Sequence, residues 1–288
     1  MLNMFRMDLR RLFRTKSLYI CTIVLMAVVI IASVAVNAVC KYGSVWDIQD
    51  MLSGFSGDNE LTTEIDGGYS PSLADAAMLE AAKVKLRSFM TLQVLASAPF
   101  MTRLSYMLIS LVCVLYVSKD YITAYLKNLL MIPHAKTKWL ISKILMLLVI
   151  IIFMYLGITL ASLIGQLILG NPFPDDFMPL ISYMAKTLVS AISFGLFNIF
   201  MVVLLQKRSG AIVICLLTSF NIQGIIYMLI DTAKLLPFKL SHYGFMLLTY
   251  KVNLHDPLPD KLLPVAGVIA GLSLLLSFVL IRRRDLKM

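Results

Sequence analysis

Acidic side chains are missing from every long apolar run of this sequence. All 16 Asp and Glu of the 288 residues lie in polar connecting stretches, against 26 Lys and Arg. Aspartyl protease chemistry inside a bilayer requires carboxylates within the apolar runs, and is excluded. Proton relays and cation sites also draw on intramembrane ionisable groups, so coupling to an ion gradient is disfavoured. No G-x-x-x-x-G-K-[ST] stretch occurs, so the chain builds no phosphate-cradling loop of its own. Neither H-E-x-x-H nor G-x-S-x-G occurs, and the three histidines, His134, His242 and His255, are scattered between the runs. The four cysteines make no disulfide framework, because Cys21, Cys113 and Cys215 sit within apolar runs and only Cys40 lies near the exit of one. They read as small buried apolar residues. No catalytic, cofactor-binding or metal site is expected, and energy for any uphill transport would have to come from outside the chain.

What is abundant is apolar surface. The sequence is 59% hydrophobic and 15% charged, with a mean hydropathy of +0.85, whereas soluble domains run at about 45–50% apolar and about 25% charged. These values describe an all-α integral membrane protein. Six apolar runs, over residues 18–39, 96–117, 140–169, 187–205, 209–230 and 262–281, reach or approach the roughly 20 residues that cross a bilayer.

The net charge of +10 is unevenly placed. Sixteen Lys and Arg but only three acids fall in the N-terminal segment, the 118–143 stretch, the 207–208 pair and the C-terminal tail, and the remaining ten and thirteen fall elsewhere. That asymmetry marks the first set as cytoplasmic and puts both termini inside; it does not call for a nucleic acid partner.

In residues 1–16, Leu2, Phe5, Leu9 and Leu12 share one helical face, with Arg6, Arg10, Arg11 and Arg14 elsewhere. This describes an interfacial elbow helix on the lipid surface. The run that follows is too long for a secretory leader and has no small-residue cleavage site after it.

Residues 40–95 read as an acidic exterior loop, then a helix from Pro71 to about Leu95 with Ser70 as its N-cap. The second run carries Arg103 near its outer end, either reaching for the interface or facing a pathway. Gly157, Ala161 and Gly165 in the third run, and Gly267 and Gly271 in the last, form small-residue stripes for close helix packing, within one protomer or between two. The fifth run is the most polar. Ser219, Gln223 and Tyr227 recur one turn apart with Asn221 beside them, so this face is either interhelical glue or a pathway surface. Pro237 and Lys239 break the 231–261 segment into pieces too short to span, so exterior or re-entrant helices are expected there before the last run.

The chain is organised around Ser118 to Lys143. Five lysines, Lys119, Lys127, Lys136, Lys138 and Lys143, stand there against one acid, Asp120. Tyr121, Ile122, Tyr125, Leu129 and Ile132 recur at spacings of three and four until Pro133, which predicts one short amphipathic helix. Topology marking explains the lysines but not that apolar face.

An apolar span leading into a short cytoplasmic segment with the Lys127–Asn128 pair, a break, a basic patch and a Trp139-to-Lys143 start to the next span resembles the permease subunits of type-2 ATP-binding-cassette exporters. The basic N-terminal helix and the Arg282–Arg283–Arg284 ending fit the same pattern. The resemblance implies that Asp120, Tyr121, Tyr125, Lys127, Asn128, Leu129, Ile132 and Pro133, within the 118–139 loop, form a coupling helix that docks on a cytoplasmic ATPase. It further implies two ATPase copies that hold the ATP and Mg, a second permease, identical or homologous, and a bacterial cell membrane. Amphipathic peptides such as bacteriocins, toxins or peptide antibiotics, or other lipophilic molecules, are the expected cargo. A membrane sensor or assembly scaffold is the alternative, and a channel or secondary transporter ranks behind it.

Overall fold

The computed structural model describes residues 2–42, 80–84, 86, 90–122, 135–172, 177–233, 239–252 and 259–283. Among these residues there is no strand, and five helices are long and apolar enough to cross a membrane: α2 (Lys16–Tyr42), α4 (Leu104–Ile122), α5 (Ala135–Leu169), α6 (Met178–Leu205) and α10 (Leu262–Arg283). A bent pair, α7 (Arg208–Ser219) and α8 (Ile222–Thr232), which meet at 57°, is together long and apolar enough for a sixth crossing or a re-entrant loop. The short helices are α1 (Leu2–Phe13), α3 (Leu92–Met101) and α9 (Phe245–Tyr250), with one 3₁₀ turn at Leu240–Tyr243. The protein is thus an all-α integral membrane protein.

Side-chain size sets how the helices approach one another. α2 lies along α5, where a Cβ on Gly157 would come within 2.6 Å of the Thr22 methyl and one on Gly165 would collide with the Ser33 hydroxyl. Ala161 is fully buried on the same stripe. Gly195 of α6 likewise makes room for Leu147 of α5. The last helix differs: α10 packs along α6, but a Cβ at Gly267 or Gly271 would meet nothing within 4 Å. Of the two alternatives for that stripe, packing within the protomer is not seen, since both glycines face open space rather than another described helix.

Two breaks interrupt what reads in the sequence as continuous runs. The expected span over 96–117 divides at Thr102 and Arg103. Pro99 lies inside α3, the Thr102 amide and hydroxyl both donate to the Ala98 carbonyl (2.9 and 3.0 Å), and Arg103 takes a φ of 62°. A proline supplies no N–H to the ladder, and a left-handed residue ends it, so α4 starts afresh at Leu104. Arg103 is half-buried at this junction. The expected helix from Pro71 to Leu95 is also divided, because Thr91 caps α3 by accepting from the Val94 amide. Residues 71–79 of that expectation, and the acidic 43–70 stretch, lie outside the described residues.

The second break falls within the expected 209–230 span. Thr218 and Ser219 turn their hydroxyls back onto the Cys215 carbonyl (2.9 and 2.7 Å), and Asn221 then adopts φ 60°. Asparagine tolerates that conformation better than most residues. Gly224 is required one turn later, because any Cβ there would strike the Asn221 amide group.

The buried core is continuous through α1, α2, α4, α5, α6, α7 and α10. A separate small cluster of Val36, Cys40, Leu86, Met90, Leu95 and Leu169 closes the end remote from α1. There Asn37 donates to the Ile168 carbonyl (3.1 Å) and Asn171 to that of Met90 (3.0 Å). All four cysteines are free and buried.

Candidate functional site

At the α1 end, the helices run on past the apolar sequence. α4 continues through Ile122 and α5 begins at Ala135, so the interval between them narrows to 123–134. Tyr125, Lys127, Asn128, Leu129, Ile132 and Pro133 of the expected coupling helix lie in that interval, outside the described residues. α5 has 35 residues, about 52 Å at 1.5 Å per residue, whereas the hydrocarbon core is about 30 Å thick. α5 is thus longer than one crossing requires, and Lys136, Lys138 and Trp139 stand at its first turns.

Asp120 and Tyr121 are described, on the last turn of α4, and Asp120 is not a surface residue. Its side chain is 7% exposed, it accepts a hydrogen bond from the Trp139 indole N–H (2.8 Å), and its Oδ2 lies 2.7 Å from Lys143 Nζ. Arg11 of α1 approaches its other oxygen at 3.8 Å. The direct docking role expected of Asp120 is corrected accordingly: the carboxylate is spent inside the fold. The expectation that spans carry no acid is corrected with it, because α4 extends one turn further than the apolar run.

Lys143 is the hub. Its side chain is fully buried, 3.2 Å from Asp8 Oδ1 as well as 2.7 Å from Asp120, and it stands 4.4 Å above the Tyr116 ring. Asp8, also fully buried, accepts from the Ser142 hydroxyl at 2.6 Å through its second oxygen, while its backbone carbonyl accepts from the Tyr116 hydroxyl at 3.0 Å. Two carboxylates, one ammonium and one guanidinium balance to zero charge. Such a group tolerates burial only because each charged atom has a partner.

The cluster also corrects the reading of the N-terminal helix. Phe5, Leu9 and Leu12 do share a face with one another, but that face packs onto the protein core, and Asp8 lies on it too. Arg6, Arg10 and Arg14 are left outward. An acid on an apolar helix face was the signal in the sequence for this cluster; Lys143, one turn into an apolar run, was another.

A second arrangement lies at mid-depth, beside the bend between α7 and α8. A cavity of about 200 Å³ is lined by Phe194, Phe197, Thr218, Gln223, Tyr227, Phe245 and Ile269. Gln223 and Tyr227 share a face of α8 and reach it together, whereas Ile222, Ile225, Ile226, Met228 and Leu229 are exposed. Ser219 is corrected away from this face: the bend turns it inward, 1% exposed, bonded to its own helix and neither glue nor pathway. Asn221 is the bend itself. Phe194 continues into an aromatic cluster, edge-on to Tyr106 at 6.2 Å, which meets Phe100 at 5.9 Å; Phe100 in turn meets Tyr155 and Tyr183. One turn from Phe194, Asn198 is fully buried with neither side-chain polar atom bonded.

The sequence profile of the family described as ABC-2 family transporter protein matches residues 69–240, more than half of the chain. The match takes in α3 through α8, including both breaks and the 123–134 interval, and leaves α1, α2, α9 and α10 outside it. No curated protein and no solved structure matches. With the profile match covering both candidate sites except for the α1 side of the ion cluster and two lining residues of the cavity, the chain belongs to the ABC-2 transporter family and is a membrane-embedded permease subunit, a class that associates with an ATPase subunit.

Proposed function

We propose that the chain is one half of an exporter, in which it pairs with a second permease, identical or homologous, and with two cytoplasmic ATPase subunits that bind ATP and Mg. Cargo, an amphipathic peptide or another lipophilic molecule, moves outward through a bacterial cell membrane whose cytoplasmic face is the α1 end. The observation that carries this reading is the anchoring of both helices flanking residues 123–134. Trp139 and Lys143 of α5 hold Asp120 of α4, so a push on the intervening segment is passed to α4 and α5 instead of being lost in a slack loop. The cavity beside the bend supports the choice of cargo class, since three phenylalanines offer apolar contact while Gln223, Thr218 and Tyr227 offer hydrogen bonds.

In helix-in-groove contacts the buried anchors carry most of the energy, and rim charges set orientation and on-rate. Tyr125→Ala is therefore expected to lose co-purifying ATPase and ATP-driven transport more severely than Lys136→Ala, even though the lysine change removes a full charge. The reverse order, or a stable permease that purifies without any ATPase, sinks the exporter reading in favour of a membrane sensor or scaffold.

A further inference from the structure

The ion cluster joins three helices, and its geometry goes beyond holding the two flanks of residues 123–134 together. Asp8 brings in α1, and α1 is linked to α2 by only Arg14 and Thr15. That link is itself closed, because the Thr15 amide and hydroxyl both donate to the Leu12 carbonyl. We propose that Asp8, Lys143 and Asp120 act as positioning residues, a clamp that makes α1 travel as one body with the flanks of the 123–134 segment, so that displacement of that segment also drives α2. This rests on the reading that an ATPase subunit engages the segment.

The physical case is that the clamp has no slack. Lys143 has three N–H donors; two face carboxylates and the third side of the ammonium faces the Tyr116 ring. Both oxygens of each carboxylate are engaged, by Lys143 and Ser142 at Asp8 and by Trp139, Lys143 and Arg11 at Asp120. Moving α1 relative to α4 and α5 strips the buried charges of Asp8 and Lys143 of partners, which is strongly unfavourable. Moving the three together strips nothing. The α6–α7 junction at Gln206 and Lys207 contributes no group to this cluster and serves as the reference point against which its motion is read.

Spin labels test this directly, in a background with Cys21, Cys40, Cys113 and Cys215 replaced by Ala. One pair sits at Arg10 and Lys138, the exposed sides of α1 and the start of α5; the other at Arg10 and Lys207. In the permease alone, the Arg10–Lys138 distance distribution is expected to be narrow and to broaden in Asp8→Asn. The double variant Asp8→Asn/Lys143→Met removes one charge of each sign and provides the same test in a cluster that stays neutral, should the single variant fold poorly. In the complex with its ATPase, trapping with ATP and vanadate is expected to shift the Arg10–Lys207 distance and leave Arg10–Lys138 unchanged. A distribution as narrow in both variants as in the parent overturns the clamp. A narrow parent distribution whose Arg10–Lys138 distance shifts on trapping as much as Arg10–Lys207 overturns the joint motion. Failure of any ATPase to bind, with the clamp intact in the permease alone, overturns instead the docking reading beneath it.

Discussion

Two of the buried polar regions among the described residues follow opposite rules. At the α1 end, every charged atom of Asp8, Asp120 and Lys143 has a partner. At mid-depth, near the bend, Asn198 has none for either polar atom and Gln223 opens onto a cavity. A network in which every lone pair and proton is used has one arrangement and resists change. A buried amide without partners lacks that restraint and gains bonds when its surroundings repack. The end proposed to receive a push is thus built to keep its shape, and the middle, where cargo is proposed to pass, is built to exchange one set of contacts for another.

The largest expected effect comes from breaking the satisfied side. Lys143→Met leaves two carboxylates buried against a single half-exposed arginine, and removing one member of a buried pair costs about 3–5 kcal/mol. Detergent-solubilised variant is expected to elute as aggregate or to unfold far below the parent in a thermal size-exclusion assay. Parent-like behaviour would show that water reaches the cluster, and the contrast between the two regions would collapse.

Asn198→Leu probes the unsatisfied side with the opposite sign. Replacing an unpaired buried amide by an apolar group of similar size is expected to raise stability by about 1–3 kcal/mol, seen as a higher melting temperature, while slowing the ATPase cycle of the complex. A stability loss would mean that Asn198 already has a bonding partner such as ordered water, and that the two regions differ less than their geometry indicates.

Gln223→Leu is expected to be smaller still in stability, within about 0.5 kcal/mol, because half-exposed positions without a bonded partner are tolerant. Its effect belongs in the cargo-stimulated ATPase rate. An unaltered rate with intact assembly removes the cavity from the pathway. The smallest expected effect is that of Gly267→Ala and Gly271→Ala, which have open space for a methyl group. Both are expected to leave melting and oligomeric state unchanged; loss of a dimer on native electrophoresis would instead place the α10 stripe at a seam between permeases.

The comparison also separates what the sequence discloses from what it withholds. Membrane crossing follows from long apolar runs, which constrain the backbone to helices because lipid offers no hydrogen bonds, and this class was legible at once. The bend was not, since residues 209–230 are apolar on both sides of it. Its cause is local: two hydroxyls folded back on Cys215, a left-handed Asn221, and a Gly224 that leaves room for the Asn221 side chain. The division at Arg103 is of the same kind, although Pro99 gave a hint of it. The cluster was half legible. Asp120 stood out as the one acid of a basic stretch, but reading charges by segment assigned it to a surface. The other two members of the cluster, Asp8 and Lys143, are 112 and 23 residues away in sequence, and only tertiary packing brings them to one point. Pairing across such distances leaves no periodic trace.

The left-handed residue at position 221 has one more consequence, for the bilayer itself. Gly224 and Ile225 donate to the Asn221 carbonyl (2.9 and 3.3 Å), but the two amides before them, of Ile222 and Gln223, have no carbonyl within their own helix, and in dry hydrocarbon each unpaired group would cost several kcal/mol. Beside them lies the cavity with Thr218, Gln223 and Tyr227 at its wall, roomy enough for several water molecules. Water held at that step would divide the insulating slab in two, so that a polar group crossing here would meet two thin dry layers with a wet landing between them, each a lower electrical and solvation barrier than a single unbroken one.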